Sequence, residues 1–272
     1  MELAPFFLDI KKYTMEVVMI LEEYDPNRKA IINPEELVAR IPDFPKVGVS
    51  CFSISLFNRI LEIFHPRQIA ATGMANIDIP VYELEYNGSK IALFLSCVGA
   101  PACVAGYEDI IAMGLQTLVL FGTCGVLDKN IEDCSIIIPT SAVRDEGTSY
   151  HYVEATDEIP VNEKYIEEFV MILEKYNYSY TSGKVWTTDA CYRETTAKLE
   201  KRKASGCVCV DMECSAMAAV AQFRNRTIFH FFYSADNLDA DNWEIRCLGN
   251  QVKLEEKEKI ALLAIELACS IE

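Results

Sequence analysis

The sequence predicts a single α/β domain with a largely parallel or mixed sheet, on three observations. Apolar runs of buried-strand length, such as 117–121 and 228–233, alternate with amphipathic stretches at helical spacing. No internal repeat, low-complexity segment or linker-like change of composition divides the chain. Polar or glycine-rich residues follow the apolar runs at 122–125, at 211–213 and at Asp236, the strand exits where ligands gather in such sheets.

Residues 1–44 are expected to form a helical arm ahead of a domain spanning 45–272. Phe6, Phe7, Ile10, Met15, Val18, Met19 and Leu21 recur at helical spacing until Tyr24-Asp25-Pro26-Asn27 breaks the pattern. A short helix is predicted at 34–38, with Asn33 as cap and proline first. The domain opens with a strand at 46–51 and a helix at 56–64. Strands at 68–75 and 81–86 follow, and Asn87-Gly88 turns the chain into another at 90–96. After Gly99-Ala100-Pro101, a helix at 102–113 ends at Gly114. The buried strand at 117–121 is closed by Gly122-Thr123-Cys124-Gly125, and a further strand is read at 135–141. A helix at 161–176 precedes a strand at 184–187 and the segment Thr188-Asp189-Ala190-Cys191-Tyr192-Arg193-Glu194-Thr195. The strand at 207–210 meets Asp211-Met212-Glu213 and a helix of small residues, and that at 228–233 ends at Ser234-Ala235-Asp236-Asn237. Residues 252–271 read as a long amphipathic helix, its charged start at 255–259 a solvated face.

Composition narrows the function. The formal net charge is -16 with no basic cluster, which excludes a nucleic-acid backbone as partner. The 11 cysteines sit mostly in apolar surroundings, as at Cys97, Cys124, Cys207 and Cys209, in the manner of reduced cytosolic thiols. Cys207-Val208-Cys209 lacks C-x-x-C spacing and only three histidines are present, so no metal site is expected. Neither a basic, apolar leader nor an apolar run of about 18 residues is present, so a soluble cytoplasmic protein with no membrane partner is expected.

Asp211 and Glu213 admit two readings. Carboxylates are seldom buried without a partner, so two at a strand exit suggest a ligand. Equally, both suit the first turn of a helix, where Asp211 would cap and Glu213 would meet the dipole.

Four segments in order decide for a site: Phe121-Gly122-Thr123-Cys124-Gly125, Val143-Arg144-Asp145-Glu146-Gly147-Thr148-Ser149-Tyr150-His151, Asp211-Met212-Glu213 and Ser234-Ala235-Asp236-Asn237. Together they resemble the nucleoside phosphorylase family, which includes purine nucleoside phosphorylase, uridine phosphorylase and the methylthioadenosine nucleosidases. The similarity covers roughly 45–270. It implies a single-domain, three-layer α/β/α fold around a mixed, partly barrel-like sheet. It also implies a homo-oligomer, dimer or hexamer, with sites near subunit borders.

The resemblance implies cleavage of the N-glycosidic bond of a nucleoside through an oxocarbenium-like transition state. Glu213 matches the glutamate that accepts the ribose 2′ and 3′ hydroxyls, and Met212 the methionine packed on the sugar. Asp211 takes the place of the motif's first glutamate, one methylene shorter. Asp236 matches the aspartate that protonates a leaving purine near N7, general acid work worth about 10²–10⁴ in rate. Thr195 and Ala197 stand where pyrimidine-specific members carry a Gln/Arg pair, so a purine is expected. Cys191 and Tyr192 fall where members place an aromatic residue against the base; Arg193 and Glu194 read either a base edge or a surface ion pair. His151 lies in a pocket-lining segment, and a hydrogen-bonded structural histidine is the alternative. Arg144 is expected to pair with Asp145 or another carboxylate of the fold.

The nucleophile is where the chain departs from the family. Phosphorylases bind phosphate with a Gly-Asp-Pro-x-Arg loop and a second arginine; here these positions read Ser50-Cys51-Phe52-Ser53-Ile54-Ser55-Leu56 and Leu120. Thr123 and a backbone anion nest at Gly122-Thr123-Cys124-Gly125 are the remaining neutral donors. Three readings stay open: an unusual phosphorylase with phosphate as co-substrate and no other cofactor, a nucleosidase using water, or a non-catalytic nucleoside-binding or storage homologue. The nucleosidases' N-terminal-loop glutamate has no counterpart between Cys51 and Leu56.

Overall fold

The computed structural model describes residues 19–239, 242–249 and 251–272. Most of the helical pattern read over 6–24 lies outside these residues, and 19–24 hold one 3-10 turn, Ile20–Glu22. Helix α1 (Pro34–Leu37) begins with its proline. Asn33 precedes it without capping it, because its side chain is engaged by Ala30 and Glu36.

From there the order is β1 (Val47–Cys51), α2 (Ile54–Phe64), β2 (Arg67–Met74), β3 (Ile77–Tyr86), β4 (Ser89–Leu95), α3 (Ala100–Met113) and β5 (Thr117–Val126). Next come β6 (Ile136–Asp145), β7 (Glu158–Pro160), α4 (Ile166–Lys175), β8 (Tyr180–Thr188), α5 (Thr196–Ala204) and β9 (Cys207–Asp211). The order closes with α6 (Cys214–Arg224), β10 (Thr227–Asn237), β11 (Glu244–Ile245) and α7 (Leu254–Ser270). The Asn87-Gly88 turn forms as read, both residues at positive φ.

Side chains of β5 alternate between two cores, as the strand period requires. Val119 and Phe121 face α2, α4 and α7, whereas Leu118 and Leu120 face α3 and α6. The result is the expected three-layer α/β/α arrangement. Phe121 stacks on Phe231 at 5.4 Å and Phe169 closes on Phe231 at 4.5 Å, tying β5, β10 and α4 together. Each such ring contributes about 1.5–3 kcal/mol by burial.

The sheet is partly barrel-like because β5 joins two systems. β2, β3, β4 and β1 form an outer wing, with β1 parallel to both β4 and β5. On the other side β5 pairs β10 in parallel, β10 meets β6 antiparallel, β6–β8 and β8–β9 run parallel, and β9 returns antiparallel to β5. Five strands thus close a barrel. One edge of β5 carries β1 as far as Phe121 and β9 from Gly125 onward. Between them, Gly122, Thr123 and Cys124 have no ladder partner on that edge.

This revises the reading of 122–125 as a turn. The four residues continue β5, paired along the other edge with Phe232, Tyr233, Ser234 and Asp236. Neither Gly122 nor Gly125 has positive φ, so the alternating geometry of an anion nest is absent there.

Candidate active site

The two carboxylates at the end of β9 divide their work. Asp211 ends β9, and its Oδ2 accepts the amides of Glu213 (2.9 Å) and Cys214 (2.7 Å) while Oδ1 accepts Thr187 Oγ1 at 2.7 Å. It therefore caps α6 from below, with the helix dipole favouring its charge. Glu213 occupies the N-cap position of α6 without capping it. Its Oε1 instead accepts the Gly99 amide at 2.5 Å, at the N-terminus of α3. Burial pushes both carboxyls above the usual range, and Asp211 pushes Glu213 further. Among the described residues no cation pairs with Glu213. Met212, half-buried, lies between the two acids.

A cavity of about 180 Å³ lies along the unpaired stretch of β5, with Val98, the neighbour of Gly99, in its wall. Its walls include Phe52, Ser53, Val98, Gly122, Thr123 and Lys257. The Phe52 ring lies directly on Gly122, where a Cβ would stand 2.6 Å from its Cδ2. Leu120, where the family's second arginine is expected, is fully buried against α3 and α6. Lys257 overturns the reading of 255–259 as wholly solvated: it is 1% exposed, and its Nζ donates to the carbonyls of Cys247 (2.7 Å) and Gly249 (2.8 Å). A hollow of about 810 Å³ elsewhere, between the start of β6 and α7, contains none of the residues singled out for chemistry.

The third part lies at the end of β10. Asp236 Oδ2 accepts Trp243 Nε1 at 2.8 Å, and β11 folds back so that Ile245 pairs with Asp236. Burial raises the Asp236 carboxyl above its ordinary value, against the pull of Trp243 and Arg246. Gly125 leaves room for it: a Cβ there would stand 3.2 Å from Asp236 Oδ1 and 2.4 Å from Leu238 Cδ1. Glu194, after the 3-10 turn Cys191–Arg193, is pushed up to about 7 by burial and then by the Asp236 charge.

The remaining sequence candidates stand apart. Cys191, Tyr192 and Arg193 are exposed, Tyr192 at 97%, and His151 is exposed at the end of the 3-10 turn Thr148–His151. Arg144 does not pair with Asp145. Its guanidinium donates to Ser149 Oγ, Thr156 Oγ1 and the carbonyls of Val153 and Glu154, and lies over the Tyr150 ring. Asp145 is taken by Trp186, Lys198 and Arg202.

Sequence reasoning missed Gly99, Thr187, Glu146, Trp243 and Lys257. Glu146 accepts Ser215 Oγ and the Ser149 amide, fastening the 3-10 turn to α6. Only Lys257 left a sequence signal: it shares a helix face with Ile260, Ala261 and Ala264, all buried. Asp133, Cys134 and Cys247, and separately Asp211, Cys214 and His230, bring three ligand-type atoms within 4.8 Å. Both carboxylates already have partners, Lys253 for Asp133 and the α6 cap for Asp211.

The comparisons agree with this architecture. Residues 68–268 match the family model described as the phosphorylase superfamily. A guanosine phosphorylase of Halorubrum lacusprofundi is 23% identical over 61% of this chain and 67% of its own length. A DeoD-type purine nucleoside phosphorylase of Brevibacillus brevis is 22% identical over 67% of this chain and 75% of its own. Among solved structures, the uridine phosphorylase of Vibrio fischeri superposes with a TM-score of 0.70 at 19% identity, covering 89% of this chain and 99% of that one. The purine nucleoside phosphorylase of Toxoplasma gondii, in complex with immucillin-H, gives 0.69 at 17% identity, covering 84% and 92%. With the closed barrel, the layers and a family match across most of its length, this chain belongs to the phosphorylase superfamily.

Proposed function

We propose that this protein cleaves the N-glycosidic bond of a purine nucleoside, with phosphate as the acceptor of the sugar. The observation that carries it is Glu213: a buried carboxylate at a strand exit, without a cationic partner among the described residues, bonded to the Gly99 amide, whose neighbour Val98 lines a cavity. A ribose diol supplies the neutral donors such a group lacks. Asp211, saturated by its three protein donors, positions Glu213 by fixing the start of α6. Met212 packs against the sugar.

At the other end, Asp236 is the general acid for the leaving base. Its raised carboxyl and the neighbouring Glu194 form an acidic pair at the barrel rim, suited to holding a proton near neutral pH. The oxocarbenium-like sugar forms as the base leaves with that proton, and the nucleophile then enters from the β5 side, beside Thr123.

The test is product analysis of purified protein with inosine, guanosine, adenosine and uridine, with and without phosphate. Purine release that requires phosphate and yields a sugar 1-phosphate is the expected result. Glu213→Ala should lower kcat/KM by about 10–100-fold, from the loss of charge-assisted hydrogen bonds worth about 1.5–3 kcal/mol each. Asp236→Asn should lower kcat by about 10²–10⁴ with a smaller change in KM. Equal rates without phosphate, giving free ribose, would mean water is the nucleophile. Binding without release across the panel would mean a nucleoside-binding protein.

A further inference from the structure

Lys257 is an ammonium in an unusual position. It is 1% exposed on the first turns of α7, with two backbone carbonyls for its three N–H donors. The nearby acid of that region, Asp133, is bound by Lys253 instead, and among the described residues no carboxylate stands within ion-pair distance of Lys257. A buried charge met by two carbonyls and the Tyr233 ring, 5.9 Å from its Nζ, rather than by a paired carboxylate, is costly. Burial accordingly lowers the Lys257 amine from its ordinary value, opposed by Cys247, Cys134 and Asp133. Yet the residue borders the cavity that also exposes Thr123 and Gly122, at the one stretch of β5 whose edge lacks a ladder partner.

We propose that Lys257 is the cationic anchor of an oxyanion, inorganic phosphate, held in this cavity with Thr123 Oγ1 and the Thr123 amide on the free edge of β5 as neutral donors. The volume of about 180 Å³ admits a tetrahedral oxyanion. A single ammonium from α7 thereby does what the family's guanidinium groups, one on the loop after β1 and one at the Leu120 position, would otherwise do. The apolar Phe52 ring, lying on Gly122, excludes water from the anion's other side. This deepens the phosphorylase reading above, since the anion is the nucleophile of that reaction.

Titration calorimetry with inorganic phosphate, at fixed ionic strength in chloride, tests the anchor. Wild-type protein should bind phosphate, and Lys257→Met should weaken it about tenfold or more, as expected for a lost charge-assisted donor. Nucleoside affinity in phosphate-free buffer should stay within about twofold. Lys257→Arg should retain phosphate binding, and Thr123→Val should weaken it severalfold; these two variants carry the test if Lys257→Met fails to fold by circular dichroism. Unchanged phosphate affinity in folded Lys257→Met, or in Thr123→Val together with loss in Lys257→Arg, overturns the proposal. So does a wild type that does not bind phosphate but binds inosine 5′-monophosphate through Lys257, because the anion would then belong to the nucleotide. Failure of nucleoside to bind while phosphate binding stays Lys257-dependent overturns the functional reading and leaves the anion site standing.

Discussion

At the scale of single residues, environment assigns different work to similar side chains. Asp211 and Glu213 are two positions apart and equally buried, yet one accepts three hydrogen bonds within its own junction and the other reaches across to the Gly99 amide of α3. Glu194 carries a consequence for acidity. Its folded carboxyl titrates near 7 and its unfolded one in the ordinary range, so the folded chain holds a proton the unfolded chain releases between those values. Stability from this group is therefore complete below the ordinary carboxylate range and falls as pH rises through about 7. Denaturant melts across pH 4–8 should show that Glu194→Gln flattens this part of the profile. A profile identical to wild type would place the proton elsewhere.

At the scale of elements, the strand-to-helix junction is the sensitive point. Asp211→Ala removes the α6 cap and leaves the Thr187 hydroxyl and two amides without their acceptor, a cost of about 2–4 kcal/mol. Thermal melts of that variant, set beside Asp211→Asn, which preserves one acceptor, measure it; equal melting temperatures for Asp211→Ala and wild type would refute the cap. Elements of this kind were legible in sequence because periodicity and punctuation are local. The hairpin at Asn87-Gly88, the buried runs of β1, β5 and β10 and the helix start after Glu213 were all read from their own residues. What was not legible depends on partners distant in the chain. Gly122-Thr123-Cys124-Gly125 looked like a turn because glycine usually punctuates, but it is strand because β10 pairs it and Phe52 and Leu238 need the missing Cβ atoms. Lys257 looked solvated within a charged run, and only the fold reveals that its face of α7 is the inner one. The segment Cys191-Tyr192-Arg193 was singled out along the chain by resemblance, while its exposure on the surface required the fold.

At the scale of the whole molecule, a closed barrel within an α/β/α sandwich concentrates stability in two strands. β5 and β10 are buried along nearly their full length, and β5 joins the outer wing to the barrel. Amide exchange monitored by mass spectrometry should therefore be slowest in β5 and β10, approaching the global unfolding limit, and fastest over residues 19–33, which have few buried side chains. Rapid exchange in β10 would show that the barrel opens independently of the wing. The candidate functional groups are distributed over this frame: Thr123 on β5, Asp236 on β10, Glu213 after β9 and Lys257 on α7. Their separations are set by strand pairing and sandwich packing, so none depends on one loop holding its shape.

The crowding around Gly125 limits how such a protein diversifies. Leu238, Asp236 and Val210 already occupy the space that any side chain at that position would need. Substitution therefore has little scope at this position, where even one methyl group would stand 2.4 Å from Leu238 Cδ1 and press on Asp236 and Val210. Tyr192, 97% exposed, carries no such crowding, so substitutions there are expected to leave the barrel rim in place.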